Sequence, residues 1–170
     1  MSLTHVEHPF PPLYDKESEI LILGSFPSVK SREQMFFYGH PQNRFWKMIA
    51  AIFDEAVPET IQEKKKLLTE HHIALWDVIY SCDIEGSSDA SISNVVATDL
   101  AEILAGSKIS KIIVNGKTAE KYYRKYTEPR TNIEAVCMPS TSPANAAWSL
   151  ERLTECWRKE LINQTGEVTR

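Results

Sequence analysis

The sequence predicts an α/β fold: a three-layer sandwich around a four-stranded, mainly parallel central sheet. Three features carry that expectation. Four short apolar runs recur along the chain, and stretches with a helical pattern separate them; strands joined through helices lie parallel, because parallel neighbours require a crossover. The third is size. A chain of 170 residues with 42% hydrophobic content fits one domain, residues 1–170, with a proper buried core.

The elements run in order along the chain. After the proline-rich lead-in HPFPPLY, Ile20-Leu21-Ile22-Leu23 reads as a buried strand stopped by Gly24-Ser25-Phe26-Pro27-Ser28. Asn43 is placed to cap a helix carrying Phe45, Trp46, Met48, Ile49 and Ile52. A second amphipathic helix spans Pro58 to Glu70, with proline at its start. Ile73 to Val78 is the next strand, and Ser81 to Ser93 reads as a long loop by composition. A helix is expected over Asn94 to Ala105, a strand over Ile109 to Val114, and a helix over Lys117 to Tyr126. Ile133 to Met138 gives the fourth strand, closed by Pro139-Ser140-Thr141-Ser142-Pro143, and a last helix runs to about Asn163 before a short tail.

Several function classes are excluded. A net charge of -4 argues against coating nucleic acid by bulk attraction, although a local basic patch remains compatible with it. No run of about 18 apolar residues is present to span a membrane, and the start MSLTHVEH lacks the apolar middle of a signal peptide. The expectation is a cytoplasmic monomer. Cys82, Cys137 and Cys156 are odd in number, far apart and without a C-x-x-C pair, so they read as reduced, buried thiols. His71-His72 are adjacent on a helix end and point apart, reading as solvated imidazoles; no metal and no cofactor is expected. Without G-x-G-x-x-G or G-K-[ST], dinucleotide and P-loop readings fail, and the missing G-x-S-x-G elbow removes a serine hydrolase built on Ser25.

In parallel sheets ligands sit beyond the strand carboxyl ends, which is where the unusual loops fall. GSFPS offers free backbone N–H groups after a strand, suiting a phosphate or a polarised water as well as a plain tight turn. MFFYGHPQNRFWKM gathers rings before a Gly-His-Pro break, so that at least one of Phe36, Phe37 and Tyr38 is expected to project and stack on a base, while Phe45 and Trp46 read as core. Arg44 suits a phosphate or a carboxylate. Asp77 stands at a strand end as a polar contact or a cap, and Asn115 at another. MPSTSPANAAW opens a helix with hydroxyls and free N–H groups, suiting a DNA phosphate or a flipped nucleotide.

The order LILGSFPS, FFYGHPQNRFW, WDV with GSSDASI, IIVNGKTA and MPSTSPANA, covering about Pro11 to Glu160, resembles the uracil-DNA glycosylase superfamily. HPQNRFWK resembles its mismatch-specific members. GSFPS and PSTSPANA look closest to its hypoxanthine-DNA glycosylase branch, which removes the base of deoxyinosine. Most of that superfamily places an Asn or Asp where this chain has Phe26, and the classical uracil enzymes carry a histidine where it has Ser140 and Thr141. Both departures resemble the hypoxanthine branch. The resemblance thus implies a monofunctional glycosylase acting on DNA with a deaminated base, with Asn43 as the catalytic amide. It implies Gly24, Ser25, Phe26, Phe37, Tyr38, Asp77 and Asn115 around the base, and Arg44, Ser140, Thr141, Ser142 and Asn145 on the strand. The alternatives are a uracil or mismatch glycosylase, and a DNA-binding damage sensor without catalysis.

Overall fold

The computed structural model describes residues 3–162 and contains seven strands and seven α-helices among them. The strands are β1 Thr4–Glu7, β2 Ile20–Gly24, β3 Ile73–Asp77, β4 Ile79–Ile84, β5 Ser93–Ala97, β6 Lys111–Asn115 and β7 Ala135–Met138. The helices are α1 Val29–Gln34, α2 Phe45–Ile52, α3 Ile61–Glu70, α4 Ala101–Ala105, α5 Lys117–Tyr122, α6 Glu128–Thr131 and α7 Leu150–Leu161. A π-helical turn, Tyr123–Thr127, joins α5 to α6 and lengthens the helix expected to end at Tyr126. The expected helix end at Asn163, and the tail, lie outside the described residues.

The four anticipated strands form one wholly parallel sheet in the order β3-β2-β6-β7, with helices on both faces. Burial on both faces explains why they read as unbroken apolar runs: every residue of β2 and β3 is buried. The register decides which side chains meet at the end of the sheet. Gly24 lies opposite Asp77, Leu23 opposite Val114, and Asn115 opposite Met138, so Gly24, Asp77 and Asn115 end up side by side on the carboxyl edge.

A second sheet, β1-β4-β5, is antiparallel and differs from the expectation. Its β4 takes up the start of the stretch read as loop, and β5 the start of the helix expected over Asn94 to Ala105, leaving only α4 of that helix. β1 is mostly exposed and β5 alternates between half-buried and exposed, and the β4–β5 ladder is irregular, with register shifts around Ser81 and a left-handed Asn94 at φ 52°. Bulged, half-exposed strands lose the alternation that marks them in a sequence. From β1 the lead-in crosses to the main sheet, where Leu13 and Leu75 exchange backbone hydrogen bonds of 3.0 and 2.9 Å at its β3 edge.

The core condenses around α2 and α7. Phe45, Trp46, Met48, Ile49, Ala50 and Ile52 turn inward from the first, and Leu153, Trp157 and Leu161 from the second, with the Phe45 and Trp157 rings 6.3 Å apart. A large apolar side chain of this kind contributes about 1.5–3 kcal/mol by leaving water. Of the three thiols only Cys82 is buried; Cys137 and Cys156 are half-buried, and all three are free. The His71 imidazole is not solvated as expected: it stacks 3.8 Å from Phe53 and bonds Glu55 at 2.6 Å.

Candidate active site

The loops beyond the carboxyl edge of the main sheet enclose a cavity of about 540 Å³, within the range of about 300–1,000 Å³ usual for small-ligand sites. Its floor is formed by the strand ends Gly24, Asp77 and Asn115. Ser25 and Phe26 continue from β2, Phe37, Tyr38, His40 and Asn43 come from the aromatic segment, and Ser140, Thr141 and Ser142 close the far wall. The structure therefore brings together all but two of the anticipated residues, Arg44 and Asn145. Ser87, Ser88 and Asp89, from the GSSDASI stretch, add a rim that is not among the anticipated site residues. A larger hollow of about 630 Å³ lies beside α6, lined by Arg124, Glu128, Pro129, Asn132, Glu134 and Ala135, and it offers no ring to stack a base.

The floor is tightly built. A Cβ at Gly24 would fall 2.5 Å from Asp77 Oδ1 and 3.3 Å from the Tyr38 hydroxyl, so the absence of a side chain there lets carboxyl and phenol face each other. Tyr38 adopts a left-handed backbone, φ 53°, and stacks on Phe45 at 4.1 Å. Its hydroxyl is buried without a hydrogen-bond partner. Burial, reinforced by the nearby Asp77, holds the phenol far above its usual pKa, while the Asn115 amide close by pulls weakly the other way. Of the rings from which at least one is expected to project, Phe37 is 2% exposed and packs edge-on to Phe10 and Trp76, while lining the cavity together with Tyr38.

The amides divide their work. Arg44, not Asn43, takes the N-cap position of α2; Asn43, one residue earlier, accepts the Phe45 backbone N–H on Oδ1 at 2.9 Å, which leaves a second lone pair and the NH₂ group for the cavity. Asn115, in contrast, grips the far wall: its Oδ1 accepts from Thr141 N at 3.0 Å and its Nδ2 donates to Thr141 Oγ1 at 3.1 Å. Thr141 is fully buried as a result, so it holds the loop and does not offer its hydroxyl to a strand.

Arg44 is not presented to a phosphate either. Its backbone N and Nε donate to Thr141 O at 3.1 and 3.2 Å, its Nη2 to the carbonyls of Ser142 and Asn145 at 2.9 and 3.1 Å, and its Nη1 to that of Trp148. Asn145 turns back to donate to Ser140 O at 3.0 Å. The two residues absent from the cavity lining thus fasten the wall from behind. Ser140 and Ser142 remain at the surface of the cavity, their hydroxyls accepting from Ser142 N and Ala144 N at 3.1 Å each. The wall also depends on Gly116, at φ 96°, where a Cβ would fall 3.0 Å from Ser140 Cβ. Gly116→Ala is expected to destabilise the protein by about 1–3 kcal/mol through that strained backbone, measured as a lower urea midpoint with an unchanged slope.

On the rim, Asp89 is exposed as a residue, yet its carboxyl end turns inward and accepts from Ser25 Oγ at 3.3 Å. Withdrawal from water lifts its pKa above the usual carboxylate range; the Ser25 and Thr118 hydroxyls work against this, and the Asp77 charge adds to it. Under the floor, His8 Nε2 lies 2.7 Å from Asp77 Oδ2, both side chains almost wholly buried. Asp77 is thus no helix cap.

Fold and site together define a class of protein: a parallel α/β sheet with a ring-walled, amide-rimmed cavity above its strand ends. The chain belongs to the uracil DNA glycosylase superfamily, whose family model matches residues 11–165. Among its relatives, a protein of Methanosarcina acetivorans named hypoxanthine DNA glycosylase is 35% identical over 157 residues, 88% of this chain and 95% of that protein. A protein of the same name from Methanosarcina barkeri is 32% identical over 115 residues, 66% of this chain and 73% of the other. A solution NMR structure of a candidate uracil DNA glycosylase from Methanosarcina acetivorans superposes with a TM-score of 0.74 at 33% identity, covering 88% of this chain and 92% of that one.

Proposed function

We propose that this protein is a monofunctional DNA glycosylase that releases hypoxanthine from deoxyinosine in DNA, opening base excision repair. The observation that carries the reading is the cavity floor. Asp77, Tyr38 and Gly24 meet beside Asn43, and together they offer a flipped base a polar edge contact, a ring and a nearby amide. The two hypoxanthine DNA glycosylases of Methanosarcina support the choice of base.

Each step draws on these groups. Extruding the nucleotide costs a few kcal/mol, least for a mispaired base, which favours hypoxanthine before any pocket contact. The base then lies against Tyr38, with Asp77 and the Gly24 to Phe26 backbone along its polar edge, and Ser140 and Ser142 take the strand. Asn43 holds a water against C1′. As the C1′–N9 bond breaks, the sugar becomes oxocarbenium-like, the water oxygen bonds C1′ and loses a proton, and the departing ring nitrogen regains one. No lysine stands among the described residues lining the cavity, in keeping with water and not an amine as the nucleophile. The proposed assembly is a monomer, and the proposed setting is the cytoplasm.

The test is a panel of duplexes containing deoxyinosine, deoxyxanthosine or deoxyuridine, each treated with alkali after incubation. Scission at deoxyinosine in excess over deoxyuridine is the expected result. Preference for deoxyuridine would make this a uracil enzyme, and saturable lesion binding without scission a sensor.

A further inference from the structure

His8 is a buried titratable group at the site that the proposed mechanism does not use. Its imidazole has no exposed surface and is ringed by Trp76 at 4.2 Å, Phe10 at 4.6 Å, Phe26 at 6.0 Å and Phe37 at 6.3 Å. Only one of its nitrogens is satisfied: Nε2 meets Asp77 Oδ2 at 2.7 Å, and Nδ1 is buried without a partner. An unpaired polar atom in an apolar cage is unfavourable, so its persistence points to the bond on the other side of the ring. With the carboxylate as acceptor, the imidazole donates through Nε2–H. That bond occupies Oδ2, while Oδ1 faces Gly24 on the cavity floor and receives no hydrogen bond among the described residues.

We infer that His8 is a positioning residue for base discrimination: it fixes the Asp77 carboxylate so that Oδ1 accepts a ring N–H from the flipped base. This rests on the glycosylase reading of the site. Deamination is what creates that N–H in adenine, since N1 of adenine is an acceptor and N1 of hypoxanthine carries a hydrogen. A carboxylate oxygen is acceptor-only, and against adenine it would face a lone pair, a mismatch that unpaired polar sites reject strongly. The same device admits any deaminated base with such an N–H, xanthine and uracil included, and leaves the choice among them to the size and rim of the cavity. It excludes the normal adenine that surrounds every lesion.

The test compares wild type with His8→Phe, which fills the aromatic cage without the donor, and His8→Gln, which restores an N–H near the position of Nε2. Single-turnover release of hypoxanthine should fall about 100-fold in His8→Phe, as for a reacting geometry displaced by about 1 Å, and recover about tenfold in His8→Gln. Binding to a duplex with an abasic site should stay within about twofold, and free hypoxanthine should inhibit wild type but not His8→Phe, with adenine inhibiting neither. Should His8→Phe fail to fold, His8→Asn takes its place, its shorter side chain stopping short of Asp77. A folded His8→Phe that releases hypoxanthine at the wild-type rate overturns the inference, as does an equal loss of abasic-site binding, which marks a merely structural role. Wild-type protein inert on every duplex is a different failure: it removes the glycosylase reading, and this inference with it.

Discussion

Asn43→Ala is expected to slow hypoxanthine release by about 100- to 1,000-fold, the range seen when a preorganised polar group facing the developing charge is removed. The variant isolates chemistry from folding only if two consequences are separated. Asn43 Oδ1 also accepts the Phe45 N–H at the start of α2, and loss of such a hydrogen bond destabilises by about 1 kcal/mol. Stability in urea therefore falls modestly while the rate collapses. Asn43→Asp provides the second arm: it retains the acceptor for the Phe45 N–H but loses the two amide donors, so stability returns, and the rate reports whether the water is held by the carbonyl oxygen or by the NH₂ group. If Asn43→Ala releases base at the wild-type rate, Asn43 drops out of the mechanism and the water must be held elsewhere, with the inward-turned carboxyl of Asp89 the alternative on the cavity rim.

How far the sequence can be read depends on the distance over which each residue finds its partners. β2, β3, β6 and β7 are legible because both of their faces are covered, which writes an unbroken apolar run into each. The floor residues are legible for the same reason, since Gly24, Asp77 and Asn115 are where those runs stop. The antiparallel sheet is not, because its outer strands β1 and β5 face partly to solvent and the β4–β5 pairing is bulged, so no clean alternation reaches the sequence. Which of Phe37 and Tyr38 packs inward is not legible, because the chain takes a left-handed backbone at Tyr38, a residue type that gives no warning of a positive φ. His8 leaves no signal at all: its partner is 69 positions away, and a histidine beside a proline-rich lead-in looks like surface.

Arg44 escapes a sequence reading for the same reason, and its removal is the prediction with the largest effect on folding. The carbonyls it binds, on Thr141, Ser142, Asn145 and Trp148, lie almost a hundred positions or more from it in the chain. A planar fork with several donors in fixed directions is the one side chain able to serve so many acceptors together. Arg44→Met preserves most of the apolar stem and removes the fork, leaving four carbonyls of a partly buried loop to find water or go unpaired. Each hydrogen bond to a charged donor is worth about 1.5–3 kcal/mol, but water reaches part of the loop, so a total loss near 3 kcal/mol is expected in urea unfolding. Arg44→Lys should recover little of it, since one ammonium group cannot span the carbonyls. Function fails with the loop, because Ser140 and Ser142 lose their support while Asn115 still holds Thr141. Binding to lesion DNA should weaken in proportion, and its salt dependence should stay the same, because the guanidinium contacts carbonyls and not phosphate. A shallower salt slope in Arg44→Met would instead make Arg44 a direct phosphate ligand.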